Sequence, residues 1–370
     1  MKRKYLLKKR GKFWYYKLSY EEAFHSTGHT TRALAESIVL EIIQGNDQGR
    51  EMITLNDYSK DFYKWGNCSW IERQHAKGRS FSKTMSKLRR SQLENYILPK
   101  FGKKLLKDIN PVEVENWLIS LTLSNQTKNH ILYSFNIIMK EAARELIIKF
   151  NPLQNVEPMS RDYIKRDILE PKEIKLLFPT DEEELKQIWE DQFWWTLFLF
   201  IITTGARSGE VRALKWKNVL IDRSIVLISD SVKSDRTIGR PKSGDVRGVI
   251  LPERTHQMLK KWHLVSPFSE PEHFVFYGRG GTLMNKRTVW KHFLKGLDNA
   301  GIIRKNRKID VHSLRHTYNT LMRNVLSEAL LQFQVGHKSR SMTDRYDQAT
   351  PLQKIEQFLP EKDKMDAVWR

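Results

Sequence analysis

The sequence predicts a multidomain protein. A small β-sheet-plus-helix N-terminal module spans residues 1–48, an all-α bundle spans 55–155, and an α+β, mainly helical domain with a small antiparallel sheet spans 168–370. Three features of the chain predict this. The aromatic, β-favouring run KFWYYKLSY precedes the first helical pattern. Residues 55–151 carry apolar residues at three-to-four spacing throughout. Past a stretch with three prolines, residues 151–173, the order becomes helix, strands, helices.

Composition narrows the partners. Hydrophobic residues make up 40% of the 370, with 11 Trp, so the chain has a core and is not a charge-rich disordered one. The 64 Lys and Arg exceed the 43 Asp and Glu, giving +21, which favours an extended polyanion and nucleic acid first. A membrane surface is the rival. The longest apolar run, FWWTLFLFII at residues 193–202, falls well short of the ~18 residues a span needs. No apolar signal segment follows the basic N-terminus, and the single Cys68 supplies neither a disulfide framework nor a zinc quartet, so the expected location is the cytoplasm.

The first twenty residues hold eight Lys or Arg and no acid, beginning with Lys2, Arg3 and Lys4. HSTGHTTRALAESIVLEIIQG then reads as a turn and a helix, with Thr31 as cap and Gly45 near the exit. The alternative is an N-terminal hairpin packed onto the next domain. Within the bundle, residues 73–107 contain eleven basic residues and one acid, Glu94, and Lys83, Lys87 and Arg90 share one helical face. Such a stripe reads either as a solvated face or as phosphate contacts. Glu170 and Pro171 open the next domain. An apolar helix is expected over residues 189–203, followed by the strands SIVLISD and VRGVILPE.

Four motifs could carry chemistry. In TTGARSGEVRALKW, Gly205 stops one helix and another opens near Ser208, so Arg207 sits at a junction beside free backbone N–H groups. A guanidinium there suits a phosphate, or equally a helix-end carbonyl. PKSGDVRGVILPE places Lys242 at a hairpin tip, with Lys233 the nearby competitor; GRGG at 278–281 has no following GKS or GKT and reads as a hairpin turn. In DVHSLRHTYNT, His312 and Arg315 stand at i and i+3, a proton carrier and a fixed positive fork on one helix face. That pair suits a phosphodiester whose charge grows during displacement, or else a half-buried His with a solvated Arg. LQFQVGHKSRSMTDRYDQAT places His337 nine residues before Tyr346.

An arginine in a TGxRxxE context, a hairpin lysine, HxxR, a GH step and a tyrosine, in this order, resemble the tyrosine recombinases of the phage-integrase family. The resemblance spans residues 168–350, extends loosely to a core-binding domain at 55–151, and is weakest for an arm-binding module at the N-terminus. It implies a site-specific DNA recombinase of the three-domain integrase type, for integration and excision of a mobile element or prophage. Tyr346 would attack a phosphodiester to form a 3′-phosphotyrosyl bond. Arg207 and Arg315 would hold the non-bridging oxygens and Lys242 would protonate the leaving 5′-oxygen. His312 would assist proton transfer, His337 would donate to the phosphate, and Glu210 would orient the cluster. A phenol with pKa about 10 attacks poorly, so such a site needs both charge neutralisation and a proton path.

The implied partners are double-stranded DNA at core and possibly arm sites, a homotetramer on DNA, and a DNA-bending factor or excisionase. No cofactor, metal or membrane is implied. The tail after Tyr346 carries the apolar piece LQKIEQFL, a terminal helix that docks either on a neighbouring protomer or on its own domain. A type IB topoisomerase-like enzyme and a non-catalytic DNA-binding regulator are the alternative functions.

Overall fold

The computed structural model describes residues 5–19, 23–27, 29–51, 53–160, 167–241, 245–336 and 350–369. The expected site residues Lys2, Arg3, Lys4, Lys242, His337 and Tyr346 lie outside the described residues. The chain divides into two compact units, residues 1–163 and 164–370.

The first unit opens with strands β1 (Tyr5–Arg10), β2 (Phe13–Leu18) and β3 (His25–Ser26), followed by helix α1 (Arg32–Glu51). β1 and β2 form an antiparallel hairpin from Tyr5↔Leu18 to Arg10↔Phe13, and β3 adds on the far side of β2. The Tyr5 hydroxyl donates to Glu36 of α1 at 2.8 Å, and Leu18, Ala35 and Val39 are buried. The helix continues through Gly45, where the sequence suggested an exit. One interior glycine costs a helix only about 1 kcal/mol and does not by itself end it.

Helices α2 (Leu55–Tyr58), α3 (Ser69–Ala76), α4 (Lys83–Gln92), α5 (Leu98–Phe101), α6 (Pro111–Ser120) and α7 (Asn125–Arg144) form the bundle. Their core gathers Leu93, Ile97, Phe101, Ile131, Phe135 and Ile138, all fully buried. The helical pattern breaks between α2 and α3, where Tyr63 and Gly66 take positive φ. A wider π turn, Leu93–Ile97, joins α4 to α5 just before Pro99, which has no N–H to continue an α ladder. Asn110 caps α6 with Pro111 in its first turn, as its sequence position suggests.

The second unit begins with α8 (Pro171–Leu177), α9 (Glu182–Trp189), α10 (Gln192–Thr204) and the single turn α11 (Ser208–Val211). The apolar helix expected from residue 189 instead starts at Gln192. Glu190 turns to φ +68° and the Asp191 carboxylate caps Phe193 N–H at 2.8 Å. Strands β4 (Val219–Leu220), β5 (Ile225–Ile228) and β8 (Arg247–Ile250) form a three-stranded antiparallel sheet, with β6 (Ser231–Val232) and β7 (Ile238–Gly239) a separate hairpin. Then follow α12 (Glu253–Val265), α13 (Lys286–Asn299), α14 (Val311–Met322), α15 (Glu328–Val335), α16 (Pro351–Glu356) and α17 (Lys362–Trp369). The GRGG segment is indeed a tight turn, Gly278 N–H donating to Thr282 O and Tyr277 bridging Leu283.

Nearly every residue of α10 is buried, so this helix is the axis of the unit and fixes where its C-terminal end delivers Arg207. The terminal helices pack on their own unit: Ile355, Met365 and Trp369 belong to the same core as α10. Lys362 pairs with Glu253 at 2.6 Å, and Asp366 caps α12 through Glu253 N–H at 2.6 Å. Among the described residues no helix is long and apolar enough to cross a membrane.

Candidate active site

The site is built at the C-terminal end of α10. Gly205 closes that helix with φ +66°, and its Cα faces the Tyr318 ring so closely that a Cβ would stand 2.5 Å from it. Two residues on, Arg207 caps α11 in extended conformation, and Glu210 in that turn folds back to it. The Glu210 carboxylate accepts from Arg207 N–H at 2.9 Å and Arg207 Nη1 at 2.9 Å. It also accepts from Arg247 Nη1 at 3.1 Å and Nη2 at 2.7 Å. Arg247 lies on β8, and sequence reading passed it over as one residue of an alternating strand.

Glu210 and Arg247 are almost completely enclosed, whereas the Arg207 side chain stays 26% exposed. Burial alone would raise the Glu210 carboxyl, but the Arg247 and then the Arg207 guanidinium hold it below its ordinary range. Arg207 is therefore held at its backbone and one Nη while its side chain still reaches solvent.

Arg315, on α14, points inward. Its Nη1 donates to Gly205 O at 2.6 Å and its Nη2 to Val335 O at 2.5 Å, bracing the end of α10 against the end of α15. No carboxylate is among these partners. Burial, and then the charge of Arg207, push its pKa down to about 9, which still leaves it protonated at neutral pH. His312, one turn earlier, is exposed. Its N–H is capped by Asp310 at 2.7 Å, and its ring stands edge-on to His316 at 4.8 Å. The HxxR spacing thus yields one solvent-facing imidazole and one buried fork.

The structure brings together Arg207, Glu210 and Arg315. Lys233 begins the β6–β7 turn, its N–H donating to Thr237 O at 2.8 Å. In the first unit Lys83 and Lys87 are exposed on α4. Arg90 on that helix braces the turn after α2, with Nη1 donating to Ser59 O at 2.9 Å and Phe62 O at 3.0 Å. A second basic face, unnoticed in the sequence, is the exposed side of α13 with Lys286, Arg287, Trp290 and Lys291. Its signal was there: three cations, Lys286, Arg287 and Lys291, within six residues around the apolar Val289.

Residues 167–352 match the model of the phage integrase family, half of the chain and the whole of this arginine cluster. The chain belongs to the phage integrase family. Among relatives, the ICEBs1 integrase of Bacillus subtilis is 27% identical over 186 residues, 46% of this chain and 48% of its own length. The prophage integrase IntR of Escherichia coli is 22% identical over 229 residues, 55% and 53% of the two lengths. The chain thus spans about half the length of these relatives. Solved integrases share the fold. The Tn1549 transposon integrase in complex with a circular intermediate DNA has TM-score 0.59 at 20% identity, covering 78% of this chain and 96% of its own. A lambda integrase dimer bound to a core site has TM-score 0.59 at 15% identity, covering 92% and 93%.

Proposed function

We propose that this integrase-family protein is a site-specific DNA recombinase that cuts and rejoins DNA through a 3′-phosphotyrosyl intermediate, serving integration and excision of a mobile element or prophage. The observation that carries this reading is charge. Three guanidinium groups, Arg207, Arg247 and Arg315, surround one carboxylate, Glu210, in a largely buried cluster. Three positive charges against one leave +2, and a phosphodiester whose charge grows in the transition state is what such a cluster stabilises.

In the proposed step the Tyr346 phenol oxygen bonds to phosphorus and the bond from phosphorus to the 5′-oxygen breaks. The phenol gives up its proton with help from His312, and Lys242 supplies one to the departing 5′-oxygen. Arg207 and Arg315 hold the non-bridging oxygens, and His337 adds a further hydrogen bond. Reversal of the step by another strand's 5′-hydroxyl rejoins DNA without an external energy source. In the sequence Lys242 stands five residues before Arg247, the first residue of β8, and His337 follows Gly336 at the end of α15, where Arg247 and Arg315 take the last carbonyls.

We assign residues 1–48 to arm-type DNA contacts including Lys2, Arg3 and Lys4, 55–155 to core-site binding through Lys83 and Lys87, and 168–370 to catalysis. The exposed face of α13 supplies further phosphate contacts. The working form is a tetramer on DNA; a lambda integrase tetramer bound to a Holliday junction shares the fold, with TM-score 0.55.

The test uses duplex DNA flanking the coding locus, nicked so that cleavage releases a short 5′-hydroxyl fragment, incubated in EDTA. A protein–DNA adduct on a denaturing gel, absent from Tyr346→Phe, is the expected result. Tight binding to that duplex with no adduct would favour a non-catalytic regulator instead.

A further inference from the structure

We propose that Arg247 is a positioning residue for DNA cleavage: one guanidinium ties Glu210, and through it Arg207, to the helix end from which the Tyr346-bearing segment departs. The inference rests on the recombinase reading above and adds to it a residue outside the set that touches the phosphate.

The geometry is that of a three-way clamp. Arg247 Nη1 and Nη2 grip both oxygens of Glu210 at 3.1 and 2.7 Å, while its Nε donates to Gln334 O at 2.7 Å. The next carbonyl along, Val335 O, is taken by Arg315. Two consecutive carbonyls at the C-terminal end of α15, which have no partner inside the helix, are thus satisfied by two different arginines. Gly336 then ends α15 with φ +66°, and a Cβ there would lie 3.3 Å from the Arg247 guanidinium. Glycine takes that left-handed turn without strain and leaves room for the close approach. The following residue is His337, and Tyr346 stands ten residues beyond Gly336.

On the other side, β8 begins with Arg247 itself, five residues after Lys242 in the sequence. Arg247 therefore links the Arg207–Glu210 turn to the end of α15, whose closing residue Gly336 directly precedes His337 in the sequence. The groups facing Glu210 from the packed elements are all cationic: Arg207 from α11 and Arg247 from β8, with Arg315 of α14 close enough to feel its charge. A lysine at this position would keep the charge, but a single ammonium on a flexible stem cannot span Glu210 and Gln334 O together.

The experiment compares Arg247→Lys, Arg247→Met and Arg247→Met/Glu210→Gln with the unmodified protein. Single-turnover adduct formation on the nicked duplex is followed from pH 5 to 9, and DNA affinity and thermal melting are measured separately. Arg247→Lys is expected to bind the duplex with unchanged affinity and to form adduct about 10- to 100-fold more slowly, the cost of a misplaced catalytic group. Arg247→Met should be slower still and gain an acid limb. Without Arg247 the buried Glu210 carboxyl loses its main stabilising charge, its pKa rises, and it protonates as pH falls. The double variant should lose that limb yet remain slow.

Either Arg247 variant reacting at the unmodified rate would overturn the proposal. So would recovery of that rate in the double variant, which would reduce Arg247 to charge balance, or a slowing fully matched by lost affinity or melting. If the single variants do not fold, the double variant alone decides on the same criterion. Absence of adduct with the unmodified protein would instead sink the recombinase reading.

Discussion

Each unit of the chain contains a cluster of arginines and carboxylates, and the two are built to opposite ends. In the bundle, the buried Glu141 is held by Arg73 and Arg144, and Arg144 also binds Glu145 at 3.0 Å. Two acids and two arginines cancel, and the Arg144 side chain is half exposed. In the second unit one acid, Glu210, faces three arginines, and both Glu210 and Arg247 are shut away from water. The bundle cluster is neutral and leaks to solvent, as a structural ion pair can. The second is left with surplus positive charge in a dry place, an arrangement that costs stability unless an anion arrives. The same residue types thus balance in one unit and leave an enclosed positive surplus in the other.

The largest effect should come from removing the surplus charge. Arg315→Ala is expected to slow single-turnover cleavage by about 10²–10³-fold or more, the loss that follows deletion of one stabilising donor at a reacting centre. Arg73→Ala in the bundle should leave the cleavage rate of bound DNA unchanged.

Next comes stability. Glu210→Gln should cost about 3–5 kcal/mol in urea unfolding, because it strands enclosed guanidinium groups. Glu141→Gln should cost markedly less, since Arg144 can turn to water. The pH dependence sharpens the contrast. Both carboxyls are held below their ordinary values, so each contributes stability above about pH 4.5, lost as pH falls through its folded-state pKa. Losing more stability in acid from Glu141 than from Glu210 would break the comparison.

Backbone tests are smaller. Gly205→Ala places a Cβ against the Tyr318 ring at a left-handed position, and about 2–4 kcal/mol of destabilisation is expected. Gly66→Ala, with similar φ but open space around it, should cost only about 1–2 kcal/mol by thermal melting. Smallest of all, Lys83→Ala or Lys87→Ala should each flatten the dependence of log affinity on log salt by about one unit, leaving the cleavage rate of bound DNA intact.

Local chemistry made part of this site legible. Gly205 as a helix stop, Arg207 at the following junction, Glu210 one turn on, and His312 with Arg315 across one turn are all short-range relations that spacing reveals. Arg247 was not legible: its partners Glu210 and Gln334 lie 37 and 87 residues away, and beside Val246 and Gly248 it reads as an ordinary strand residue. Arg90 shows the reverse case. Its place on a basic face suggested DNA, and folding gives its Nη1 two carbonyls of the turn after α2, partners 31 and 28 residues away that spacing does not reveal.

The sequence by itself determined the order of the elements, the mainly helical class and the motif set, because helix periodicity, caps and turn residues act within a few positions of each other. Only the tertiary structure decided that the terminal helices pack on their own unit, that Arg315 turns inward while His312 faces water, and that Arg247 joins β8 to α11 and α15. Those outcomes depend on which distant groups share a space emptied of water. There an unpaired charge or carbonyl is costly, and each donor is drawn to whatever acceptor the packing leaves within reach.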